Sequence, residues 1–256
     1  MTHAQPTVLY LALLFFVFTH CNPAQPSGRC VSGNCETGTG SMEFPDGSRF
    51  EGQFHEGRMV YGIMFDQAGN SYEGELQDGL KHGFGEANLQ TNNSVYIGQF
   101  AGDAAEGFGY TDFSGPDAGE SYTGQWKDSQ RDGYGEYHNP KVGNRYIGQM
   151  KDGRAEGHGY LETRDPDNDY AFVFRYSGEF QDGDIHGQGL GVWADGRRFV
   201  GEWRDGEIHS GTLSSGNPRG IDSALYTGEF KDGQPHGSGE FVFADGRRYR
   251  GQFIEG

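Results

Sequence analysis

The chain has 256 residues, 45 of them Gly, and a formal net charge of -17. Aromatic residues make up 14% of it, whereas acidic disordered chains are poor in them; this favours many short strands separated by tight turns. Because binding to phosphate needs a basic surface, the acidity also argues against nucleic acid as a partner.

The first twenty residues differ from the rest and contain the apolar run VLYLALLFFVF at residues 8–18. That run is shorter than the ~20 residues that span a bilayer, and it suits the hydrophobic region of a signal peptide over residues 1–20. Cys21 then resembles the lipidated Cys of a bacterial lipoprotein, although His20 departs from the small residue usual there. The alternatives are a plain signal peptide and an uncleaved anchor. We expect export to the cell envelope as a membrane-anchored lipoprotein, or else secretion.

Residues 21–35 are rich in Pro, Ser, Gly and Asn, and we expect a flexible linker there. They contain the other two cysteines, Cys30 and Cys35, which form an even pair if Cys21 carries lipid. An oxidising compartment would allow a disulfide between them, which we expect to be a local staple. Two cysteines without a His at ligand spacing do not make a structural zinc site.

From residue 50 onward one phrase recurs nine times, about every 25 residues: aromatic, any residue, Gly, any residue, large apolar residue. Strand side chains alternate between faces, so the aromatic, the Gly and the apolar residue of each phrase share one face. We expect the aromatics to form the core of the repeats. They are Phe50, Tyr72, Tyr96, Tyr122, Tyr146, Tyr176, Phe199, Tyr226 and Tyr249.

Each copy of the first phrase is followed by a second phrase, which is a turn, usually Asp-Gly, and then x-x-His-Gly-x-Gly. Clear copies of the second phrase end at Gly85, Gly189 and Gly239. Asp-Gly suits a tight hairpin. The two Gly are expected to share a face and to leave a gap over which a neighbouring aromatic ring lies. Two copies drift, around Gly62 and Gly211.

Together the phrases resemble the MORN (membrane occupation and recognition nexus) repeat over residues 36–256, in a bacterial exported or lipoprotein type of protein. The resemblance implies an all-β fold, an elongated single antiparallel sheet of about nine stacked β-hairpins. It also implies a scaffold that associates with proteins or with phospholipid. MORN arrays accompany catalytic domains in some proteins, but we expect no enzyme and no cofactor here.

Possible metal and catalytic groups are better explained as structural. Histidines recur at the repeat period, but stacked positions in successive hairpins lie ~10 Å apart, too far to share a metal. The acidic segment at residues 165–169 departs from a calcium loop, because Tyr170 and Tyr176 stand where Gly and Glu would be needed. No nucleophile and base stand together.

Arginines cluster late in the chain, at Arg197, Arg198, Arg204, Arg247, Arg248 and Arg250. They could form a patch for anionic lipid or an acidic partner. Local pairing with Asp195, Asp205 and Asp245 is the favoured interpretation.

The last phrase, ending at Phe253, predicts an open sheet edge and homodimerisation through it. The function we expect is a non-catalytic repeat scaffold at the cell envelope that mediates protein–protein interaction through an aromatic-lined face and the longer connections. The alternative is a phospholipid-binding module for membrane association.

Overall fold

The structure is a computed structural model that describes residues 28–90, 92–113, 119–216 and 224–254. Throughout these residues the regular structure is β, with nineteen strands in one antiparallel sheet, which confirms the predicted all-β sheet of hairpins. The apolar run at residues 8–18 and Cys21 lie outside the described residues. The chain divides into two compact units, whose boundary in the sequence falls between Tyr137 and His138.

In the N-terminal unit, consecutive strands pair antiparallel from the first to the ninth, and the ninth pairs with the tenth, which begins in this unit and ends just past the boundary, at Asn139. The strands are β1 (Arg29–Gly33), β2 (Gly38–Glu43), β3 (Arg49–His55), β4 (Arg58–Phe65), β5 (Ser71–Gln77), β6 (Leu80–Leu89), β7 (Ser94–Ala101), β8 (Ala104–Phe113), β9 (Glu120–Lys127) and β10 (Gln130–Asn139).

In the C-terminal unit, nine further strands pair in the same consecutive way. They are β11 (Asn144–Lys151), β12 (Arg154–Asp165), β13 (Ala171–Gln181), β14 (Asp184–Trp193), β15 (Arg198–Arg204), β16 (Glu207–Ser214), β17 (Leu225–Lys231), β18 (Gln234–Val242) and β19 (Arg248–Phe253).

The turns within hairpins follow from their Asp-Gly sequences. Between β5 and β6, Asp78 and Gly79 both have positive φ, 51° and 83°, as a type I′ turn requires. The turns also tie one hairpin to the next: the Asp103 carboxylate accepts a 2.9 Å hydrogen bond from the Lys81 amide, and the Asp103 amide donates to the Lys81 carbonyl at 3.1 Å. Successive hairpins are thus joined at their turns as well as along their strands.

A row of glycines crosses the strands of each unit, and we call it the glycine row. Each Gly stands directly opposite the Gly of the next strand. In the N-terminal unit the row is Gly33, Gly40, Gly52, Gly62, Gly74, Gly85, Gly98, Gly109 and Gly124. In the C-terminal unit it is Gly148, Gly159, Gly178, Gly189, Gly201, Gly211, Gly228, Gly239 and Gly251.

The repeat aromatics lie over the glycine row, as predicted. A Cβ added at Gly85 would come within 2.5 Å of the Tyr72 ring, and one at Gly74 within 2.5 Å of the Tyr72 hydroxyl. The ring therefore occupies the space that side chains would fill at both positions. We call the sheet face with the glycine row and these rings the inner face, and the opposite one the outer face.

The aromatics of the first phrase and the apolar residues at its end form an edge-to-face ladder. Phe100 contacts both Tyr72 and Tyr96, at ring-centroid distances of 5.1 and 5.0 Å, and Trp126 contacts both Tyr96 and Tyr122, at 5.2 Å each. Such pairs add ~0.5–1.5 kcal/mol each beyond burial of their area. In the C-terminal unit the same ladder runs without a break from Tyr146 to Tyr249.

The last part of residues 21–35, where a flexible linker was expected, is a strand instead, because β1 begins at Arg29 and pairs with β2. Cys30 lies in β1 and Cys35 in the turn that follows, with their sulfur atoms 2.07 Å apart as a disulfide. Gly33 stands opposite Gly40, so the pairing of β1 extends the glycine row by one strand.

Candidate interaction surface

The side chains of the inner face are largely buried against one another. Eight of the nine repeat aromatics are at most 2% exposed, from Phe50 to Tyr226, while Tyr249 on β19 is about half-exposed. Their rings pack against Gly and against each other, so they hold the sheet together and leave little area for a partner. The aromatic-lined contact face expected from the sequence is therefore not formed by these residues.

The hydroxyls of the buried tyrosines are bonded to the backbone. The Tyr72 hydroxyl donates to the Glu75 carbonyl at 2.7 Å, and Tyr122 and Tyr176 donate to the carbonyl three residues ahead in the same way. Burial raises the pKa of Tyr122 to about 12, and it also raises the pKa of Tyr72 and Tyr176. These hydroxyls therefore stay protonated donors at neutral pH.

The first Gly of each Gly-x-Gly pair makes a β-bulge. Gly74 pairs with Gly85 but Glu75 pairs with His82, so Gly83 and Phe84 are two extra residues in β6. Gly83 has a φ of 59°, and a Cβ there would lie 2.5 Å from the Glu75 carboxylate. In the regular register with β7, Gly83 is opposite Phe100 and Gly85 is opposite Gly98, so only the second Gly joins the glycine row.

The bulge is capped by the Glu or Gln that follows the Gly of the first phrase. The Glu75 carboxylate accepts a hydrogen bond from the Phe84 amide at 3.2 Å, Gln99 accepts from Phe108 at 2.9 Å, and Gln125 accepts from the Tyr134 amide at 2.6 Å. The capped amide belongs to the residue between the two Gly. The side chain of that residue is directed away from the inner face.

Four large aromatics are exposed on the outer face of the N-terminal unit, and we call them the outer aromatic stripe. Phe84 and Phe108 are each 59% exposed, Tyr134 is 60% exposed, and Tyr61, at the matching place beside the shorter bulge of β4, is 44% exposed. In the register Tyr61 is opposite Glu75, Phe84 is opposite Gln99, and Phe108 is opposite Gln125. Aromatics and Glu or Gln therefore alternate along one line.

None of the four is among the residues predicted from the sequence. The signal that would have found them is an aromatic between the two Gly in three consecutive copies, as Gly-Phe-Gly, Gly-Phe-Gly and Gly-Tyr-Gly. The matching places in the C-terminal unit hold His158, Gln188 and Ser238.

Carboxylates flank the outer aromatic stripe. Glu73 on β5 is directly opposite Glu86 on β6, and Ile63 on β4 stands between Glu51 and Glu73 in the same cross-strand row. Like charges directly opposite each other are destabilising. Glu51 is 3.9 Å from the Arg49 guanidinium, whereas Glu73 and Glu86 face each other, so the outer face of this unit combines exposed rings with a pair of facing carboxylates.

The late arginines fall into two groups, and the first is fixed at turns. Arg197 donates to Asp195 at 2.7 Å and lies 5.3 Å from the Trp193 ring centre; Arg247 donates to Asp245 at 2.6 Å in the same arrangement over Phe243. Desolvation opposes the shift, but the hydrogen bond from the Arg197 amide, together with the Arg197 guanidinium, lowers the pKa of Asp195.

The second group lies on the strands. Arg204 pairs with Glu202 at 2.7 Å, and Arg248 and Arg250 lie 3.4 and 3.8 Å from Glu240. Asp205, expected among the partners, lies 3.8 Å from His186 instead. Within the parts of the chain that the structure describes, Arg198 forms no ion pair.

Among the described residues, no three His, Cys, Asp or Glu side chains are grouped as a metal site would require. In the same ranges no helix has the length and apolar character of a membrane span.

The strand pairing is that of a hairpin repeat, and the comparison with known families agrees. The MORN repeat model matches residues 50–71, 72–86, 96–114, 122–141, 146–165, 176–197, 199–210 and 226–247, which is more than half of the chain. The chain belongs to the MORN repeat family. The ninth phrase, at Tyr249, lies outside these matches but is carried by β19.

No curated protein matches the chain. Solved structures do. The SAS-4 (dCPAP) TCP domain of Drosophila melanogaster, determined in complex with a proline-rich motif of Ana2 (dSTIL), is 13% identical with a TM-score of 0.35, covering 80% of this chain and 90% of that one. The G-box domain of the microcephaly protein CPAP is 15% identical, also with a TM-score of 0.35, covering 89% of this chain and 99% of that one.

Proposed function

We propose that this MORN repeat protein is a non-catalytic scaffold at the cell envelope that binds a protein partner on the outer face of its N-terminal unit. The observation that carries the proposal is the contrast between the two faces. All the repeat aromatics except Tyr249 are buried on the inner face, whereas Phe84, Phe108 and Tyr134 are each more than half exposed on the outer one. Exposed aromatics rimmed by polar residues are typical of protein interaction sites.

The location at the cell envelope is supported by two features. Residues 8–18 suit the hydrophobic region of an export signal, with Cys21 placed as in a lipoprotein. The Cys30–Cys35 disulfide suits an oxidising compartment outside the cytosol. Metabolic labelling with a radioactive fatty acid tests the anchor: we expect label on the wild-type protein and none on Cys21→Ala.

Site-specific photo-crosslinking in intact cells tests the scaffold. A photoreactive amino acid in place of Phe84 or Phe108 should give a discrete protein adduct that mass spectrometry identifies. Val200, which is 59% exposed in the C-terminal unit, is the matched control position and should give no such adduct. Lipid adducts alone, or no protein adduct from either aromatic position, would count against the scaffold.

Phospholipid binding is a second candidate, and the observation that favours it is Arg198, which forms no ion pair with any described residue. In co-sedimentation with anionic vesicles, an Arg198→Ala/Arg248→Ala variant should lose binding that falls with salt. The turn-bound pair Arg197→Ala/Arg247→Ala is the control and should keep it. Binding that is equal in both variants and in the wild type would exclude this patch.

We also propose homodimerisation through β19, whose half-exposed Tyr249 extends the ladder of buried rings. Light scattering across micromolar concentrations should show a dimer that dissociates on dilution. A molecular mass that stays monomeric throughout would rule it out.

A further inference from the structure

We propose that the outer aromatic stripe binds a basic, proline-rich peptide in the polyproline II conformation. The inference rests on the proposed function, because it names the chemistry of the partner that the scaffold would hold. It stands on three independent features of the stripe: the spacing of its rings, the donors between them and the charge around them.

The spacing of the rings selects the conformation of the peptide. Tyr61, Phe84, Phe108 and Tyr134 lie on β4, β6, β8 and β10, every second strand of the N-terminal unit. Two strand steps of ~4.8 Å place neighbouring rings about 9.6 Å apart. A polyproline II helix rises ~3.1 Å per residue with three residues per turn, about 9.3 Å per turn. A proline at every third position would therefore meet successive rings.

Other peptide conformations fit the stripe less well. An extended strand presents a side chain to one face every second residue, at ~6.6 Å intervals, which misses the ring spacing. An α-helix repeats every ~5.4 Å, so only alternate turns would come near a ring. Aromatic grooves that bind polyproline II segments do so because the peptide is already ordered before it binds.

Two of the three residues between the rings, Gln99 and Gln125, supply hydrogen-bond donors, whereas the third, Glu75, is a carboxylate that only accepts. Gln99 and Gln125 are exposed, and each uses its side-chain oxygen to accept the amide of the next bulge. The side-chain NH₂ group of each glutamine is thereby left as a donor on the outer face. A polyproline II helix has no internal hydrogen bonds, so its carbonyl oxygens are free to accept from these groups.

The charge around the stripe favours a basic peptide. Residues 1–137 contain 18 Asp or Glu and 6 Lys or Arg. Glu73 and Glu86 stand directly opposite each other beside the stripe, and a cationic side chain between them would relieve their repulsion. The residues between the prolines of the peptide are therefore expected to be Arg or Lys.

Titration of the full chain with a labelled synthetic peptide tests the proposal. The peptide has about twelve residues, four turns, with Pro at every third position and Arg among the others. We expect saturable binding that weakens with salt, and a Phe84→Ala/Phe108→Ala variant that binds at least about tenfold more weakly. His158→Ala/Gln188→Ala, at the matching places of the C-terminal unit, is the control and should bind as the wild type does.

A second peptide of identical composition, with its prolines out of the three-residue period, separates conformation from charge. We expect it to bind at least about tenfold more weakly than the first. Equal binding of the two peptides, an unaffected double variant, or no binding of either peptide would each overturn the proposal. Circular dichroism of every variant checks that the sheet is intact.

The two proposals can fail separately. Protein adducts from Phe84 or Phe108 without binding of the periodic peptide would remove the polyproline II partner and leave the scaffold. Absence of both would remove the scaffold as well.

Discussion

The choice between Tyr and Phe in the first phrase follows the size of the bulge opposite. In the Tyr72 hairpin the bulge holds two residues, and the Tyr hydroxyl donates to the Glu75 carbonyl and, at 3.2 Å, to the His82 carbonyl. In the Phe50 hairpin the register skips a single residue, Val60. The Phe199 hairpin likewise skips only one residue. The hydroxyl is thus present where a larger bulge offers carbonyls to it.

Removing one hydroxyl should therefore cost stability. Tyr72→Phe is expected to lower the free energy of unfolding by about 1 kcal/mol, the net value of one buried hydrogen bond. Urea unfolding followed by circular dichroism measures it. Tyr134→Phe is the control, because that ring is exposed and should show no change. Equal stability of Tyr72→Phe and wild type would mean that the ring alone matters.

The glycine row should not tolerate even a methyl group. In Gly85→Ala the new Cβ would meet the Tyr72 ring, so we expect a loss of about 1–3 kcal/mol or more from overpacking. Thermal unfolding measures the effect. At Gly153, a turn position with φ of 81° and no atom within 4 Å of an added Cβ, substitution by Asn should cost much less. Similar losses at both positions would show that backbone conformation, not the ring, determines the cost.

At the scale of the hairpin, the capped bulge is the element that gives the outer face its character. It turns one residue of each second strand outward and leaves the ring of Phe84, Phe108 or Tyr134 in solvent. It also needs Gly for its backbone, since Gly83 has a positive φ.

The cap can be tested by hydrogen exchange. Gln125→Ala removes the acceptor of the Tyr134 amide, and that amide should exchange about tenfold faster, the equivalent of one hydrogen bond. Gln53→Ala is the control, because within the described residues the Gln53 side chain forms no hydrogen bond and its hairpin has the smaller bulge. Unchanged protection at Tyr134 would contradict the role assigned to Gln125.

Much of the hairpin can be predicted from its sequence, and the bulge cannot. The Asp-Gly turns and the ring of Tyr72 over Gly74 and Gly85 follow from turn preferences and from the period of two. The bulge adds two residues to β6 in its pairing with β5, which the period of two does not predict, and the period by itself does not single out Phe84 among the outward residues. Pairing of β1 was also missed, because its sequence lacks the first phrase.

At the scale of the whole molecule, the buried hydroxyls make stability depend on alkaline pH. An unfolded Tyr ionises with a pKa of about 10, whereas burial raises the pKa of Tyr122 to about 12. Between those values the folded chain keeps a proton that the unfolded chain releases, so stability falls as pH rises. Below pH 10 this contribution is complete.

We therefore expect the urea midpoint to fall between about pH 10 and 12, with a shallower fall in Tyr122→Phe. The tyrosinate absorbance band reports ionisation in parallel. A Tyr122→Phe curve that runs parallel to the wild-type curve would show that other groups dominate alkaline unfolding.

The glycine row also has a consequence for how such a gene changes length. Each hairpin pairs with its neighbours through the same row of facing glycines. Recombination between repeats can therefore remove a whole repeat and leave the pairing of the remaining strands unchanged. Excision of residues 96–121 would bring Tyr122 next to Val95, with Gly124 opposite Gly85 and Trp126 against Tyr72 in place of Phe100. The number of repeats can therefore change by one hairpin at a time without disturbing the inner face. The side chains on the outer face can meanwhile differ from one repeat to the next.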